Sequence, residues 1–463
     1  MNDKLERKYG LFTAICMVVG IVIGSGVFFK AQTILIKTGG DMPLAIVAWI
    51  IGGAIMLVNL LTFSFMGQKY ERVNGMVDYA EATVGEGFGY YMGWFIGTVY
   101  FPSMTGVLAW LTARYTLEFI VSASPNFPLA IAASQGGCAT GPECMALTVF
   151  VLCGVYAVNA LSPKLAGKLQ TSTTVIKLIP LGLMAVVGLV YGLVSGTLQE
   201  NFVTTAQVEG ISANPLLASV VATSFAYEGW IIATSVNAEI KDSKKNLPKA
   251  LIIGGITIVA IYLLYYIGVA GGATNRELIE KGAPIAFTNI FGGVLGNILN
   301  LFIAISCLGT TNGLMMGCSR CMYALAERGQ GMKPDMYRQL DRHTNTPTNS
   351  AVFALLVSAA WFLYFYATNL ACIWDGPFVF DSSELPIITV YAMYLPIIFQ
   401  WMRKEKEENA LRRFIIPGLA ILGSAFMVFA CILAHGWDCL WYLVVFAVIM
   451  ALGCWCNRRK KGN

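Results

Sequence analysis

Charge is scarce in this 463-residue sequence. Asp, Glu, Lys and Arg make up 12% of it, about half of what a soluble domain carries. That scarcity excludes an ordinary water-soluble surface. Histidine is rarer still, with only His343 and His435, and no Cys/His pattern has zinc spacing. The G-x-x-x-x-G-K-[ST] loop that cradles a nucleoside triphosphate is missing, which fits an activity not driven by ATP. There is no H-E-x-x-H, no convincing Ser/His pair, and no true G-x-S-x-G at Gly24-Ser25-Gly26. An intramembrane enzyme therefore lacks its machinery, and no cofactor is implied. No connection is long enough for a soluble domain; the longest polar one is about 328–349. The short, charged N-terminus runs straight into a long apolar stretch, which is not the pattern of a cleavable signal peptide.

Apolar residues are what the chain has in abundance. They make up 57% of it, and the mean hydropathy is +0.66. Apolar runs of about 20 residues recur, each long enough to cross a ~30 Å hydrocarbon core. Twelve spans are expected: 10–36, 42–66, 88–120, 145–162, 168–195, 214–237, 248–272, 294–327, 349–367, 378–402, 412–434 and 438–456. The chain reads as an all-α polytopic membrane protein forming one transmembrane domain. Of 31 basic residues, 25 fall on the N-terminus, the even-numbered connections and the C-terminus. The other side holds Lys30, Lys37, Arg276 and Lys281. The positive-inside rule then puts both termini in the cytoplasm. The net charge of +5 reflects this sorting and does not argue for nucleic acid. Most of the twelve cysteines lie within spans, where they act as small apolar residues. Cys138 and Cys144 share one outer loop, as a disulfide or as free thiols.

The first span contains "VGIVIGSGVFFK". Glycine costs about 1 kcal/mol in a helix relative to alanine, so Gly24-Ser25-Gly26 mid-span predicts an interruption. The N–H groups of Ser25, Gly26 and Val27 would begin a second half-helix, whose positive dipole end suits an anion. Carbonyls around Val22 and Ile23 would end the first half and suit a cation. A carboxylate and an ammonium a few ångströms apart describe an α-amino acid. A second weak centre lies in span 6, where Ser224, Ala226 and Gly229 are small and Glu228 puts a carboxylate at membrane depth. Irregular backbone at that depth is tolerated only within protein or beside water. Two interruptions at corresponding places predict an inverted repeat, 10–195 and 214–402, with two further helices at 412–456. In span 3, Gly85, Gly89, Gly93 and Gly97 recur every four residues and predict a smooth packing groove.

At these residues the sequence resembles the amino acid–polyamine–organocation transporters, and within them the L-type amino-acid branch. "GLFTAICMVVGIVIGSGVFF" is similar to that family's first helix. "FAYEGWIIATSVNAEIKDSKKNLPKAL" is similar to its sixth helix and following loop, and "NALSPKLAGKLQTSTTVIKLIP" to its fifth. "TTNGLMMGCSRCMYALAERG" with "HTNTPTNSAV" is similar to the eighth helix and the loop after it. The matches run in order over residues 10–350. The resemblance implies a LeuT-type five-plus-five fold with helices 1 and 6 broken. It also implies roles: Ser25 and Gly26 for the substrate carboxylate, and Val22, Phe225, Ala226 and Glu228 for carbonyls around the α-ammonium. Phe225 matches a lid, Tyr227 belongs to the same motif, and Trp230 lines or supports the pocket.

Lys177 sits near the middle of span 5. Gln170, Thr173, Thr174 and Lys177 share one face, which must look inward because intramembrane charge rarely faces lipid. Lys177 is either a fixed cation in place of sodium, between the first helix and Thr310–Thr311, or a proton switch, or a structural bridge to carbonyls. Glu228 either favours cationic substrates or bonds locally within the unwound segment, the favoured reading. Tyr262, near the middle of span 7, reaches the polar centre or is a satisfied core tyrosine. Asp381 and Glu384 read as a solvated helix end rather than a gate. The expected activity is sodium-independent exchange of neutral α-amino acids, small ones such as alanine, serine, threonine or cysteine favoured, with spans 1, 2, 6 and 7 rocking. Proton-coupled symport and a transporter-like nutrient receptor are the alternatives. The expected setting is the plasma membrane, with no obligatory protein partner.

Overall fold

A computed structural model describes residues 6–24, 26–70, 74–205, 214–374 and 376–458. Among them there are helices and one isolated bridge, Tyr9 to Ile240, but no strand. Among the described residues twelve helical segments are long and apolar enough to cross a membrane. Spans 1 to 6 are Leu11–Lys37, Met42–Lys69, Glu86–Ala123, Pro142–Leu161, Pro163–Ser195 and Pro215–Ser235. Spans 7 to 12 are Ser243–Gly272, Gly293–Glu327, Thr348–Leu370, Leu385–Lys404, Leu411–His435 and Asp438–Asn457.

Two boundaries differ from the sequence reading for identifiable reasons. Span 10 starts at Leu385 rather than 378. Phe378 has φ +71°, a left-handed conformation that a helix cannot contain. Asp381 then turns its carboxylate back to accept from Ser383 N at 2.7 Å. Span 5 starts at Pro163 rather than 168. Proline at the first helical position costs no hydrogen bond there, and the Ser162 hydroxyl accepts from Leu165 N.

Spans 1 and 6 are each divided. Span 1 is a helix over Leu11–Val22 and another over Gly26–Lys37. Span 6 is helical over Pro215–Tyr227, then extended at Glu228, and resumes as a short turn over Ile232–Ser235. Gly229 makes that turn with φ +106°, while its Cα hydrogen faces Ile21. Span 3 carries a π-helical segment over Ile96–Tyr100, just before Pro102, which rotates Tyr100 relative to the preceding turn. The glycine groove in that span is partly corrected. Gly93 and Gly97 do lie against Leu325 and Cys321 of span 8, so those two helices pack closely. Gly85 instead terminates a turn at φ +138° with open space around it.

The N-terminal segment lies across the end of the bundle. Lys8 N and Tyr9 N both donate to Glu239 O, and Lys241 N donates to Tyr9 O. Beneath this strap Arg320 of span 8 donates to Glu239 through Nε at 2.7 Å and a terminal nitrogen at 3.3 Å. Both side chains are buried. Removing either partner would leave an uncompensated charge, so the pair fixes how the loop after span 6 sits on span 8.

Candidate functional site: the meeting of two divided helices

The two interruptions touch each other. A Cβ on Gly26 would stand 2.6 Å from the Ala226 Cα, closer than real Cβ contacts come. Only a residue without a side chain lets the start of the second half-helix of span 1 approach span 6 this closely. A Cβ on Gly24 would meet Thr310 Oγ1 at 3.1 Å, a side chain that can yield. Ser25 lies outside the described residues.

Ending a helix at Val22 frees carbonyls, and their partners come from three other spans. Lys177 Nζ donates to Ile23 O at 2.5 Å, to Gly20 O at 2.6 Å and to Ser306 O at 3.1 Å. These three acceptors use the three N–H bonds of the ammonium. Thr310 Oγ1 is a fourth neighbour at 3.4 Å. Ser306 Oγ donates to the same region, 3.2 Å from Ile23 O and 3.1 Å from Gly24 O. Lys177 is fully buried, and no carboxylate among the described residues pairs with it. Gln170, Thr173 and Thr174 are buried with it on the inward face, and Thr174 donates to Cys16 O at 3.0 Å.

Tyr262 of span 7 spans the two interruptions. Its hydroxyl lies 3.0 Å from Val22 O and 3.0 Å from Ala226 O, and its single proton serves one at a time. These are two of the carbonyls assigned by resemblance to the substrate ammonium. Each oxygen keeps a further lone pair.

The cavity between the interruptions is lined by Val22, Gly24, Gly26, Phe225, Glu228 and Thr310 together with Ile21, Tyr100, Met104, Leu108, Gly229, Ile232 and Leu314. Its volume is about 20 Å³, room for about one water. An amino acid enters only if the walls separate. A larger hollow of about 1080 Å³ opens elsewhere, beside Lys164, Arg338 and Asp341, and includes none of the interruption residues.

Several residues named from the sequence fall outside this cavity. Thr311 turns away: its hydroxyl donates to Cys307 O of its own helix at 2.8 Å. Tyr227 points to span 2, donating to Trp49 O at 3.1 Å. Trp230 packs behind the site against Phe63 and Tyr394, so it supports rather than lines. Val27 is buried in the helix start and is not among the lining residues. Glu228 is bonded both within its own segment, to the neighbouring Gly229 N–H, and beyond it. Its Oε1 accepts from Tyr100 of span 3 at 3.0 Å, and Tyr391 and Tyr394 of span 10 turn towards the same carboxylate. The π-helical segment before Tyr100 brings that hydroxyl to it, which helical spacing in the sequence does not reveal.

Glu384 overturns the reading of a solvated helix end. It is 3% exposed, pairs with Lys30, and lies 3.1 Å from His435 Nε2. Lys30, expected on an outer surface, is itself buried. Cys138 and Cys144 are both free thiols.

Twelve spans packed around a buried polar centre define a multi-pass membrane protein. Residues 9–454 match the amino acid permease family, and the chain belongs to it. It is 27% identical over 448 residues to the serine/threonine exchanger SteT of Bacillus subtilis, covering 95% of this chain and 94% of that one. It is 25% identical over 448 residues to the human b(0,+)-type amino acid transporter 1, covering 96% and 86%. The human large neutral amino acids transporter small subunit 2 is 26% identical over 360 residues, covering 76% of this chain and 63% of that one. The family is one of permeases, not enzymes.

Proposed function

We propose that the chain is a sodium-independent exchanger of neutral α-amino acids, favouring small ones such as alanine, serine, threonine and cysteine. The observation that carries this reading is the seating of Lys177. Freed carbonyls at a helix interruption attract a cation, and here Gly20, Ile23 and Ser306 already hold a covalently attached one. The start of the second half-helix at Gly26 offers its dipole to a substrate carboxylate. Val22 and Ala226 oxygens, both beside the Tyr262 hydroxyl, keep capacity for an ammonium. With Lys177 positive and Glu228 negative, a zwitterionic substrate leaves the site's sum of charge unchanged. That supports neutral substrates over cationic ones. The likeness to a serine/threonine exchanger points the same way.

In this reading the chain is built of two five-helix repeats, 10–195 and 214–402, and only part of each moves. Spans 1, 2, 6 and 7 rock so that the small cavity opens to one side at a time. The sorting of basic residues supports cytoplasmic termini in a plasma membrane, and the chain acts without an obligatory protein partner.

A second reading rests on one observation. Lys177 has carbonyls, the Thr310 hydroxyl and the Cys307 thiol around it, with no carboxylate in contact among the described residues. An ammonium so placed is costly to keep charged, so proton loss would couple transport to pH. Purified protein in liposomes separates the two. Labelled serine, leucine and arginine are offered with and without internal amino acid, sodium or a pH gradient. Exchange requires internal substrate and no gradient. Uptake into empty vesicles driven by acid outside would overturn exchange in favour of symport. Binding without flux would instead indicate a receptor.

A further inference from the structure

We propose that Cys431 and Cys439 are a redox pair, a dithiol in this structure that an external disulfide converts into a staple between spans 11 and 12. The staple lies on the side of the molecule away from the termini, and it restrains transport. The bond itself is independent of the site reading above; its effect on transport rests on that reading.

A tight reversal of the chain brings the two cysteines together. Span 11 ends at His435 and span 12 begins at Asp438. Between them Gly436 takes φ +53°, a conformation open to glycine, with no atom near enough to crowd it. Gly436 N donates to Ile432 O at 3.0 Å and Cys439 N donates to Gly436 O at 3.3 Å, so both helix ends are tied to the turn. Cys431 stands about one helical turn before His435, and Cys439 follows Asp438 at the start of span 12. They meet across the hairpin. Cys439 Sγ donates to Cys431 O at 3.8 Å, and the two thiols lie within hydrogen-bonding reach of each other. Both are free. Cys138 and Cys144 share a loop without this arrangement: the Cys138 thiol turns to Ala133 O of the preceding helix at 3.9 Å.

The pair is asymmetric. Cys431 is buried, whereas Cys439 is partly exposed, so an incoming disulfide reaches Cys439 first. The Cys439 thiolate attacks one sulfur of the reagent, whose S–S bond breaks and releases one thiolate. The Cys431 thiolate then attacks the Cys439 sulfur of the mixed disulfide. The second half of the reagent leaves as the Cys431–Cys439 bond forms. Two electrons pass from the protein to the reagent, and the two thiol protons finish on the two thiols released. Because the resolving thiol is held alongside, the mixed disulfide closes rather than accumulates. His435 and Asp438 adjoin Cys439, and Glu384 and Asp381 face Cys431. With three carboxylates near, an uncharged reagent is the suitable probe.

Span 11 stands between the spans read as rocking and those read as fixed. Ser424 Oγ donates to Asn59 Oδ1 of span 2 at 3.1 Å, and Gly423 lies against Ile55 of the same span. At its other end His435 Nε2 is 3.1 Å from Glu384, just before span 10. Span 12 belongs with the fixed set. Tyr90 and Trp94 of span 3 donate to its Gly453 O at 2.7 Å and Ile449 O at 3.0 Å. A covalent bond from span 11 to span 12 therefore adds a tie between span 2 and span 3, and the rocking of span 2 must work against it.

The test weighs the bond and reads the flux separately. Full-length protein in liposomes is equilibrated with mixtures of hydroxyethyl disulfide and mercaptoethanol, a neutral couple. Remaining thiols are capped with N-ethylmaleimide, and the fragment carrying residues 431–439 is weighed. It is expected to be uncapped and about 2 Da lighter, under conditions at least about tenfold less oxidising than Cys138 or Cys144 needs. Cys431→Ser should stop at a mixed disulfide on Cys439, and Cys439→Ser should leave Cys431 unreacted. Serine exchange should fall at least about fivefold on oxidation, recover with dithiothreitol, and ignore the reagent in Cys439→Ser. Mixed disulfides on both thiols, reaction of Cys431 in Cys439→Ser, or oxidation no easier than at Cys138 and Cys144 would overturn the pair. A complete disulfide with undiminished flux would overturn the restraint on transport. Absence of exchange in the reduced parent would count against the transport reading, while the weighed fragment still decides the bond.

Discussion

The Gly26 Cα faces the Ala226 Cα so closely that a methyl group on Gly26 would stand 2.6 Å from it. Two helices interrupted at different points of the chain are thus in backbone contact at their interruptions. Gly26→Ala is expected to force them apart, at the cost of about 1–3 kcal/mol typical of overpacking. Amino-acid binding, read as thermal stabilisation by serine, should be lost while the protein still inserts. Gly24→Ala meets only the mobile Thr310 side chain and should retain part of that response. Undiminished binding in Gly26→Ala would place the site elsewhere.

Lys177→Ala removes the donors from Gly20 O, Ile23 O and Ser306 O together. Each acceptor loses a bond from a charged donor, worth about 1.5–3 kcal/mol, while the Thr310 and Ser306 hydroxyls remain beside them. Exchange flux in liposomes should fall at least about tenfold, the equivalent of ~1.4 kcal/mol, with the detergent-solubilised protein still monodisperse. Flux at the parent level would make Lys177 dispensable for transport.

Tyr262→Phe keeps the ring against Trp49 and Tyr227 but deletes the hydroxyl beside Val22 O and Ala226 O. A neutral hydrogen bond contributes about 0.5–1.5 kcal/mol, so serine affinity should weaken by roughly two- to tenfold. Equilibrium binding of labelled serine measures this. A change confined to the maximal rate, with affinity untouched, would show that Tyr262 acts on the movement of the spans instead.

Tyr100 and Glu228 should behave as one unit. Tyr100→Phe, Glu228→Gln and the double variant form a cycle around their 3.0 Å hydrogen bond. A bond to a charged acceptor is worth about 1.5–3 kcal/mol, and residues in contact show coupling of that order. Strictly additive losses in serine binding would indicate that Glu228 serves the substrate without Tyr100. A large gain or loss of arginine competition in Glu228→Gln alone would assign the carboxylate to side-chain selection.

Breaking Arg320–Glu239 tests the opposite end of the bundle. Glu239→Gln leaves a buried guanidinium without its counter-charge, and a loss of about 3–5 kcal/mol is expected. It should appear as a lower melting temperature and increased labelling of the cavity from the side of the termini. An unchanged melting temperature would show that water reaches the pair freely.

Amino-acid type and spacing alone determined the twelve spans and the weak point in the first. Each span is a local property: about twenty apolar residues satisfy their backbone internally and dissolve in lipid. Gly24 and Gly26 mark a place where a helix gains least. The inward face of Gln170, Thr173, Thr174 and Lys177 was equally legible, because helical period and the cost of intramembrane charge leave no other orientation. The partners were not. Lys30 and Glu384 are 354 residues apart, and each alone reads as a solvated charge at a span end. Tyr100 reaches Glu228 only because a π-helical segment turns it, and Thr311, one residue from Thr310, is directed to its own helix instead. Which carbonyl receives which donor depends on how helices distant in the chain cross, and that is settled by packing against every other span at once, information no local stretch of residues contains.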